Sequence, residues 1–223
     1  MSSSPYPTTD VERGIGSARY IIGIDEVGRG AIAGPVAVGA FVLDLESLDE
    51  SKIPPKLQDS KLMTERNREL VFDELSTWAP GYSVGFIEAE LIDQHGIVWS
   101  LARAAVKALE QLSEIPAVRD AIASGQVHLL LDGTHNWLES VVSRIPVTVR
   151  AKADRDCLAV AAAACLAKVT RDRHMVKLAE TYPEYLFDGH KGYASAAHIE
   201  AVRRLGPSEI HRVSWLTKIL SGE

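Results

Sequence analysis

Short apolar runs bounded by glycine, proline and aspartate alternate along this chain with longer stretches of helical spacing. Residues 20–26 form one such run and predict a buried strand. Pro35 to Leu43, rich in valine and bounded by Gly34 and Asp44, predicts a second. Residues 44–63 read as a polar, proline-bearing loop. Thr64 can cap a helix over 65–77, with Glu65 in its first turn. Tyr82 to Ile87 reads as a short strand. Over 97–112, Val98, Leu101, Ala102, Ala105, Val106 and Leu109 keep the apolar spacing of a helix. Val127 to Leu131 predicts a fourth strand that ends on Asp132 and Gly133, and Val147 to Val149 predicts a fifth. A long helix follows over about 157–180; its first half is small and apolar all round, which predicts burial. Residues 181–223 read as short helices around the loop Gly189 to Tyr193. Strands that alternate with helices after a hairpin-like pair predict an α/β fold with a mixed sheet.

Composition narrows the function classes. The 223 residues are 46% hydrophobic and 24% charged, ordinary for one sizeable globular core. A net charge of -6 argues against coating nucleic acid by bulk electrostatics, and leaves a local basic groove open. No stretch approaches the ~18 apolar residues of a membrane span. The N-terminus lacks the basic start and apolar core of a signal peptide, so residues 1–17 are expected to be a disordered tail and the protein cytoplasmic. Cys157 and Cys165 lie within the predicted long helix, about 12 Å apart along its axis. That is too far for a disulfide, so both are expected to be buried thiols of a reducing compartment.

The chemistry concentrates at strand ends. Asp25 and Glu26 close the first strand and open into Gly28-Arg29-Gly30. An ionised carboxylate in a buried strand needs a cationic partner, or it gives up its charge. The strand itself holds no Lys or Arg. Asp132 ends the fourth strand, and Asp154 follows the fifth just before a helix. In α/β sheets ligands gather at strand ends. Brought together, these carboxylates would form an oxygen cluster suited to Mg²⁺ or Mn²⁺ and to in-line phosphodiester hydrolysis. Consecutive strand residues face opposite ways, so Asp25 and Glu26 share one ion only if the strand ends or twists there. Taken singly, each Asp is more often a turn former or a helix cap; Asp156 competes with Asp154 for the cap.

The glycine loop lacks both the Gly-x-Gly-x-x-Gly spacing and the helix that a dinucleotide cradle needs. Its backbone could instead approach a ligand closely enough to read a ribose 2′-hydroxyl, or it could be a tight turn. Residues 150–177 carry seven Lys or Arg against three Asp, a local cationic surplus that would suit a phosphate backbone. For Arg171 and Arg173 a solvated helix face is the expectation, with Asp172 paired to its neighbours. Tyr193, in His190-Lys191-Gly192-Tyr193, could stack on a sugar or base, or could simply pack. Nothing in the spacing of His135, His190 and His211 singles out a base.

Taken together, the strings Gly23-Ile-Asp-Glu-Val-Gly-Arg-Gly30, Ala33-Gly-Pro-Val36, Asp59-Ser-Lys-Leu62, Leu131-Asp-Gly133, Lys152-Ala-Asp154, Leu166-Ala-Lys-Val-Thr-Arg-Asp-Arg173, His190-Lys-Gly-Tyr193 and Gly206-Pro-Ser-Glu-Ile-His-Arg212 resemble the type 2 ribonuclease H family, bacterial ribonuclease HII. The resemblance covers nearly the whole chain after the tail. It implies a ribonuclease H-like catalytic domain over 18–180, with a five-stranded mixed sheet flanked by helices. It also implies a helical C-terminal extension over 181–223 that contributes to substrate binding. By the same resemblance Asp25, Glu26, Asp132 and Asp154 are the metal-binding carboxylates, holding Mg²⁺ or Mn²⁺. Gly28, Arg29 and Gly30 would read the 2′-hydroxyl, Tyr193 would stack on the following deoxyribose, and Lys191 would help with a neighbouring phosphate. The implied activity is cleavage of the RNA strand of RNA–DNA hybrids and 5′ of single ribonucleotides in duplex DNA, leaving 5′-phosphate and 3′-hydroxyl ends; the chain is expected to be a monomer. Three positions depart from the family pattern. Ala163-Ala164-Cys165 stands where a Ser is usual, Ala31 stands where Pro is frequent, and His211-Arg-Val-Ser-Trp215 replaces His-Arg-Arg-Ser-Phe. The alternatives are a related two-metal phosphodiesterase acting on DNA junctions and a nucleic-acid-binding protein without catalysis; the intact carboxylate set argues against the second.

Overall fold

The structure, a computed structural model, describes residues 6–221. Five strands form one sheet in the order β3-β2-β1-β4-β5. They are β1 (Tyr20–Val27), β2 (Val36–Asp44), β3 (Gly81–Ile87), β4 (Val127–Asp132) and β5 (Val147–Arg150). β1, β2 and β3 form an antiparallel meander, while β4 and β5 run parallel to β1. The sheet is therefore mixed, as the alternation of elements predicts. β1 continues through Glu26 to Val27, so the chain does not leave the sheet at the Asp25-Glu26 pair.

Helices cover both faces. On one side lie α4 (Ile97–Ser113) and α5 (Pro116–Ala123), packed on Ile22, Ile24, Leu129 and Leu131. On the other lie α2 (Glu65–Trp78) and α7 (Leu158–Thr181), packed on Ile21, Phe41 and Leu130. Strand alternation sends odd and even residues of β1 to different cores. Thr64 caps α2 as expected, its Oγ1 accepting the Asn67 N–H at 3.2 Å. Val98 is an exception to the expected stripe of α4, being 56% exposed. Ala104 and Ala108 are buried instead, and a Cβ at Gly85 would fall 2.0 Å from the Ala104 carbonyl oxygen. Close approach of helix to strand decided which face turned inward. α3 (Ala89–His95) and α5 are too short for periodicity to announce them; Pro116 opens α5 at a position where the missing N–H costs nothing.

The small, apolar first half of α7 is buried from Leu158 to Ala167, as its composition predicts. It lies on bare backbone. A Cβ at Gly23 would come within 2.2 Å of Ala159, and one at Gly39 within 2.4 Å of the Ala163 oxygen. Cys157 and Cys165 are free and buried, and burial pushes both thiols up to about 12. A third, smaller core joins Ile32 and Met175 to Tyr185, Phe187, Val202 and Leu216 of the C-terminal segment. That segment contains α8 (Phe187–His190), α9 (Ala196–Leu205) and α10 (Thr217–Ser221). Among the described residues no helix is long and apolar enough to cross a membrane.

The N-terminal segment differs from the expected disorder. Residues 1–5 lie outside the described residues, but from Tyr6 onward the chain is folded. Thr8 bridges Cys157, donating to Asp156 O and accepting from Leu158 N–H, each at 3.0 Å. α1 (Asp10–Arg13) then buries Glu12 completely, and its Oε1 accepts the Ala159 N–H at 2.9 Å. The reason lies at the start of α7. Its cap residue is Cys157, whose side chain makes no capping bond, so exposed helix N–H groups take their acceptors from a distant segment. Asp156 does not cap; it pairs with Arg150 at 2.6 Å.

Among the described residues Glu12 Oε2 has no hydrogen-bond partner, and burial pushes this carboxyl up to about 7, against the pull of the Ala159 N–H. A folded-state value above the unfolded one means stability that is full in acid and lost as pH rises through 7. Glu12→Gln keeps an acceptor and removes the charge. It should exceed the parent in stability by on the order of 2 kcal/mol at about pH 8, with little gain at about pH 5, in urea unfolding. A gain of equal size at both values would show that ionisation is not the cause.

Candidate active site

The register of two parallel strands brings the first acids together. Ile24 of β1 pairs with Leu131 of β4, so the next residues, Asp25 and Asp132, stand side by side at the carboxyl edge. Asp154 arrives on α6 (Ala153–Asp156), the single turn between β5 and α7. That turn is tied to β4, since Ala153 N–H donates to Asp132 Oδ1 at 2.7 Å. Lys152 precedes it in the left-handed region at φ 62, a strained conformation for a side chain and one that clusters at functional sites.

Asp25 is 8% exposed, and its carboxyl sits well above the usual range. Burial is the main cause, followed by the charges of Glu26, Asp132 and Asp154. Asp154 is raised for the same reasons, by burial and then by Asp132 and Asp59, and only partly relieved by Lys61. The four acids thus feel one another. They are not drawn tightly together, however: among the described residues no three His, Cys, Asp or Glu side chains form a ready ion-holding group. Three of them turn to internal donors. Glu26 pairs with Arg29 at 3.1 Å, Asp132 accepts from Ala153, and Asp154 pairs with Lys61 at 3.3 Å. No salt bridge to Asp25 occurs among the described residues. A mutually repelling set of hard oxygen donors, Asp25 and Asp154 buried and Glu26 and Asp132 half-buried, fits a divalent cation.

A cleft of about 250 Å³ opens above this cluster, lined by Asp25, Glu26, Gly28, Arg29, Gly30, Lys61, Asp132, Ala164, Lys168 and Tyr193. It gathers most of the residues singled out from the sequence, with three differences, the first being that Asp154 is not among the residues that line it. Lys191 Nζ turns back onto the Asp188 carbonyl, away from the cleft. Lys61 and Lys168 line it instead, and Lys168 is held by Asp172 one turn along α7 at 2.7 Å. Both lie in matched motifs, Asp59-Ser-Lys and Ala-Lys-Val; for Lys61 that position was the one signal in the sequence, while Lys168 also belongs to the basic surplus of 150–177. A second, larger cleft of about 730 Å³ adjoins the first through Arg29 and Asp132, and extends over Thr134, His135, Trp137 and Lys152.

Two arginines, expected on solvated faces or given no role, hold the glycine loop. Arg171 and Arg212 are both fully buried. Arg171 donates to Pro35 O at 2.8 Å, to Lys191 O at 2.9 Å and to Ala33 O at 3.3 Å. Arg212 donates to Gly28 O at 2.7 Å, Arg29 O at 3.0 Å and Gly34 O at 3.1 Å. Burial lowers both guanidinium groups, Arg212 to about 9 with Arg171 contributing. Among the described residues neither makes a salt bridge, and backbone carbonyls satisfy their N–H groups. Gly28 answers to this packing: at φ 77, a Cβ there would meet the Arg171 side chain at 2.1 Å. Tyr193, 36% exposed, closes the loop by accepting the Gly28 N–H on its hydroxyl at 3.2 Å. Arg173 is on the surface, as expected, paired with Glu69.

The family model described as Ribonuclease HII matches residues 22–218. A ribonuclease HII of Streptomyces avermitilis is 40% identical over 218 residues, covering 95% of this chain and 85% of the relative. One of Caldicellulosiruptor bescii is 37% identical over 205 residues, covering 91% and 89%. Among solved structures, the ribonuclease H2 of Pyrococcus horikoshii OT3 superposes with a TM-score of 0.66 at 24% identity, covering 91% of this chain and 98% of that one. Bst-RNase HIII in complex with Mn²⁺ gives 0.70 at 20% identity, covering 97% and 73%. At these identities the structures speak for the fold: the five-stranded mixed sheet is ribonuclease H-like.

A raised Asp25 stabilises the fold in acid and loses that contribution as pH rises through its folded-state value. Asp25→Asn should therefore raise the Tm of the protein in chelator at neutral pH, by about 2–4 °C per kcal/mol relieved. The gain should vanish in acid. Calorimetry with the two proteins side by side tests this; a lower Tm for the variant at neutral pH would mean that the Asp25 charge is already compensated.

Proposed function

The chain belongs to the ribonuclease HII family, and from that premise we propose that Asp25, Glu26, Asp132 and Asp154 form its divalent-metal site, with Mg²⁺ or Mn²⁺ as the ion. The protein is an endonuclease that hydrolyses the RNA strand of RNA–DNA hybrids. The observation that supports the site is the adjacency of Asp25 and Asp132 at the ends of paired parallel strands, with Asp154 tied to Asp132 through the Ala153 N–H. Divalent ions held there would supply the charge that activates an attacking water and stabilises the leaving oxygen.

The protein's own residues carry substrate choice. The Gly28–Gly30 backbone lies at the wall of the cleft, where N–H and C=O groups can meet a ribose 2′-hydroxyl that both donates and accepts. Arg212 holds that backbone through Gly28 O and Arg29 O, and Arg171 holds the chain just beyond it at Ala33 O and Pro35 O, so its groups need little reorganisation on binding. Tyr193 offers its ring face beside this loop for the sugar that follows, and Lys168 and Lys61 bring positive charge to the phosphates. Lys61 also lies 3.3 Å from Asp154 and offsets part of its charge in the free protein. Cleavage 5′ of a single ribonucleotide follows if the 2′-hydroxyl sits at the glycine loop and the phosphate before it at the carboxylates.

The test is a DNA duplex with one embedded ribonucleotide against its all-DNA twin. Only the first should be cut, with divalent metal present, leaving 5′-phosphate and 3′-hydroxyl ends. Asp132→Asn should lower kcat by at least ~100-fold while the protein stays folded. Equal cutting of the twin would replace the reading with a DNA-junction phosphodiesterase, and full activity of Asp132→Asn would remove the metal site.

A further inference from the structure

From Tyr193 a line of hydrogen bonds runs away from the cleft into the C-terminal segment. Its backbone carbonyl lies 2.8 Å from His198 Nδ1. A carbonyl only accepts, so His198 carries its proton on Nδ1 and, as a neutral ring, leaves Nε2 bare. That bare nitrogen lies 3.0 Å from His211 Nε2, which must then be the donor. His211 Nδ1 is left as an acceptor, and the Ser208 N–H at 3.0 Å and Oγ at 2.8 Å both reach it. One proton arrangement therefore satisfies every member, from Ser208 through His211 and His198 to the Tyr193 carbonyl. Both rings are buried, walled by Phe187 and by His190, whose ring stacks on His198 at 4.2 Å. Burial pushes both histidines down to about 4, which keeps the pair neutral near pH 7.

The same short segment also grips the other wall of the cleft. The His211 backbone bridges Ala33, and Gly34 N–H donates to Ile210 O at 2.8 Å. The next side chain, Arg212, holds Gly28 O and Arg29 O. Adjacent residues thus send one side chain toward Tyr193 and the other to the glycine loop. The two walls also meet directly: the Tyr193 hydroxyl accepts the Gly28 N–H at 3.2 Å, and Gly192 O accepts the Ile32 and Ala33 N–H at 2.9 and 3.2 Å.

We propose that His198 and His211 are positioning residues for substrate choice: with Arg212 they form a bracket that sets the Tyr193 ring against the Gly28–Gly30 backbone. This rests on the reading of that loop and Tyr193 as the site for a ribonucleotide and the deoxyribose after it. A bracket of this kind acts on the junction. It matters most where a ribonucleotide is followed by a deoxyribonucleotide, and least in a continuous RNA strand, where the following sugar is not the one Tyr193 is set to face.

The experiment compares kcat and KM on a duplex with one embedded ribonucleotide and on a continuous RNA–DNA hybrid, for the parent, His211→Phe and His211→Gln. Phe fills the ring space and donates nothing; Gln restores an N–H toward His198. His211→Phe should lose about 10-fold in kcat/KM on the junction substrate, chiefly through KM, and less than ~3-fold on the hybrid. His211→Gln should restore most of the ratio between the two substrates. If the Phe variant does not fold, Ser208→Ala, which keeps the ring and removes one donor to it, is read by the same ratio, with a shift of about 2-fold expected. An equal loss on both substrates, or an unchanged ratio in a folded variant, overturns the inference and leaves the activity standing. A parent protein that cuts neither substrate overturns the functional reading itself.

Discussion

Helix α7 rides directly on the backbone of β1 and β2, because Gly23 and Gly39 place no side chain beneath it. Most of the functional architecture is a consequence of that contact. The helix runs 24 residues, about 36 Å. Its approach turn brings Asp154 to the strand ends, and its middle places Ala164 and Lys168 on the wall of the cleft. One further turn delivers Arg171 into the loops that follow β1. A larger residue at either glycine would lift the helix, and every one of these groups would move with it. The many alanines of α7 belong to the same constraint, since close approach needs small residues on both partners.

Charge is handled in two opposite ways on either side of the cleft. The acids at the strand ends are gathered without enough positive charge to neutralise them, so Asp25 and Asp154 are pushed above their usual range. The arginines behind the glycine loop are buried with no salt bridge among the described residues, and carbonyl oxygens satisfy them. Each arrangement costs stability on its own. The first leaves an electrostatic deficit that a divalent cation can fill. The second rigidifies a backbone segment whose groups must stand ready for a sugar. A loop held by side chains from α7 and from the C-terminal segment cannot drift relative to either.

The two ends of the chain act as fasteners. Near the N-terminus, Thr8 and Glu12 supply the acceptors that the start of α7 lacks. Near the C-terminus, Ser208, His211 and Arg212 join the tyrosine to the glycine loop. Neither is visible as periodicity. The tail is polar and carries two prolines, so its composition matches disorder; the order it has comes from helix N–H groups more than a hundred residues away in sequence.

What the sequence by itself determined is local: where strands and helices run, which stretch of α7 is buried, and that carboxylates stand at strand ends beside a glycine loop. Those follow from apolar spacing and from turn chemistry, which neighbouring residues settle among themselves. The resemblance carried by its motifs added the family and the roles. Only the tertiary structure decided which charges are buried and what they hold. Arg171 and Arg173 sit two apart on one helix; the first is sealed among carbonyls and the second faces solvent. Lys61 and Lys168 line the cleft while Lys191 turns away. A cationic side chain looks the same in sequence whichever it does. Its fate depends on which backbone oxygens and which acids arrive from distant segments, and that is set by packing.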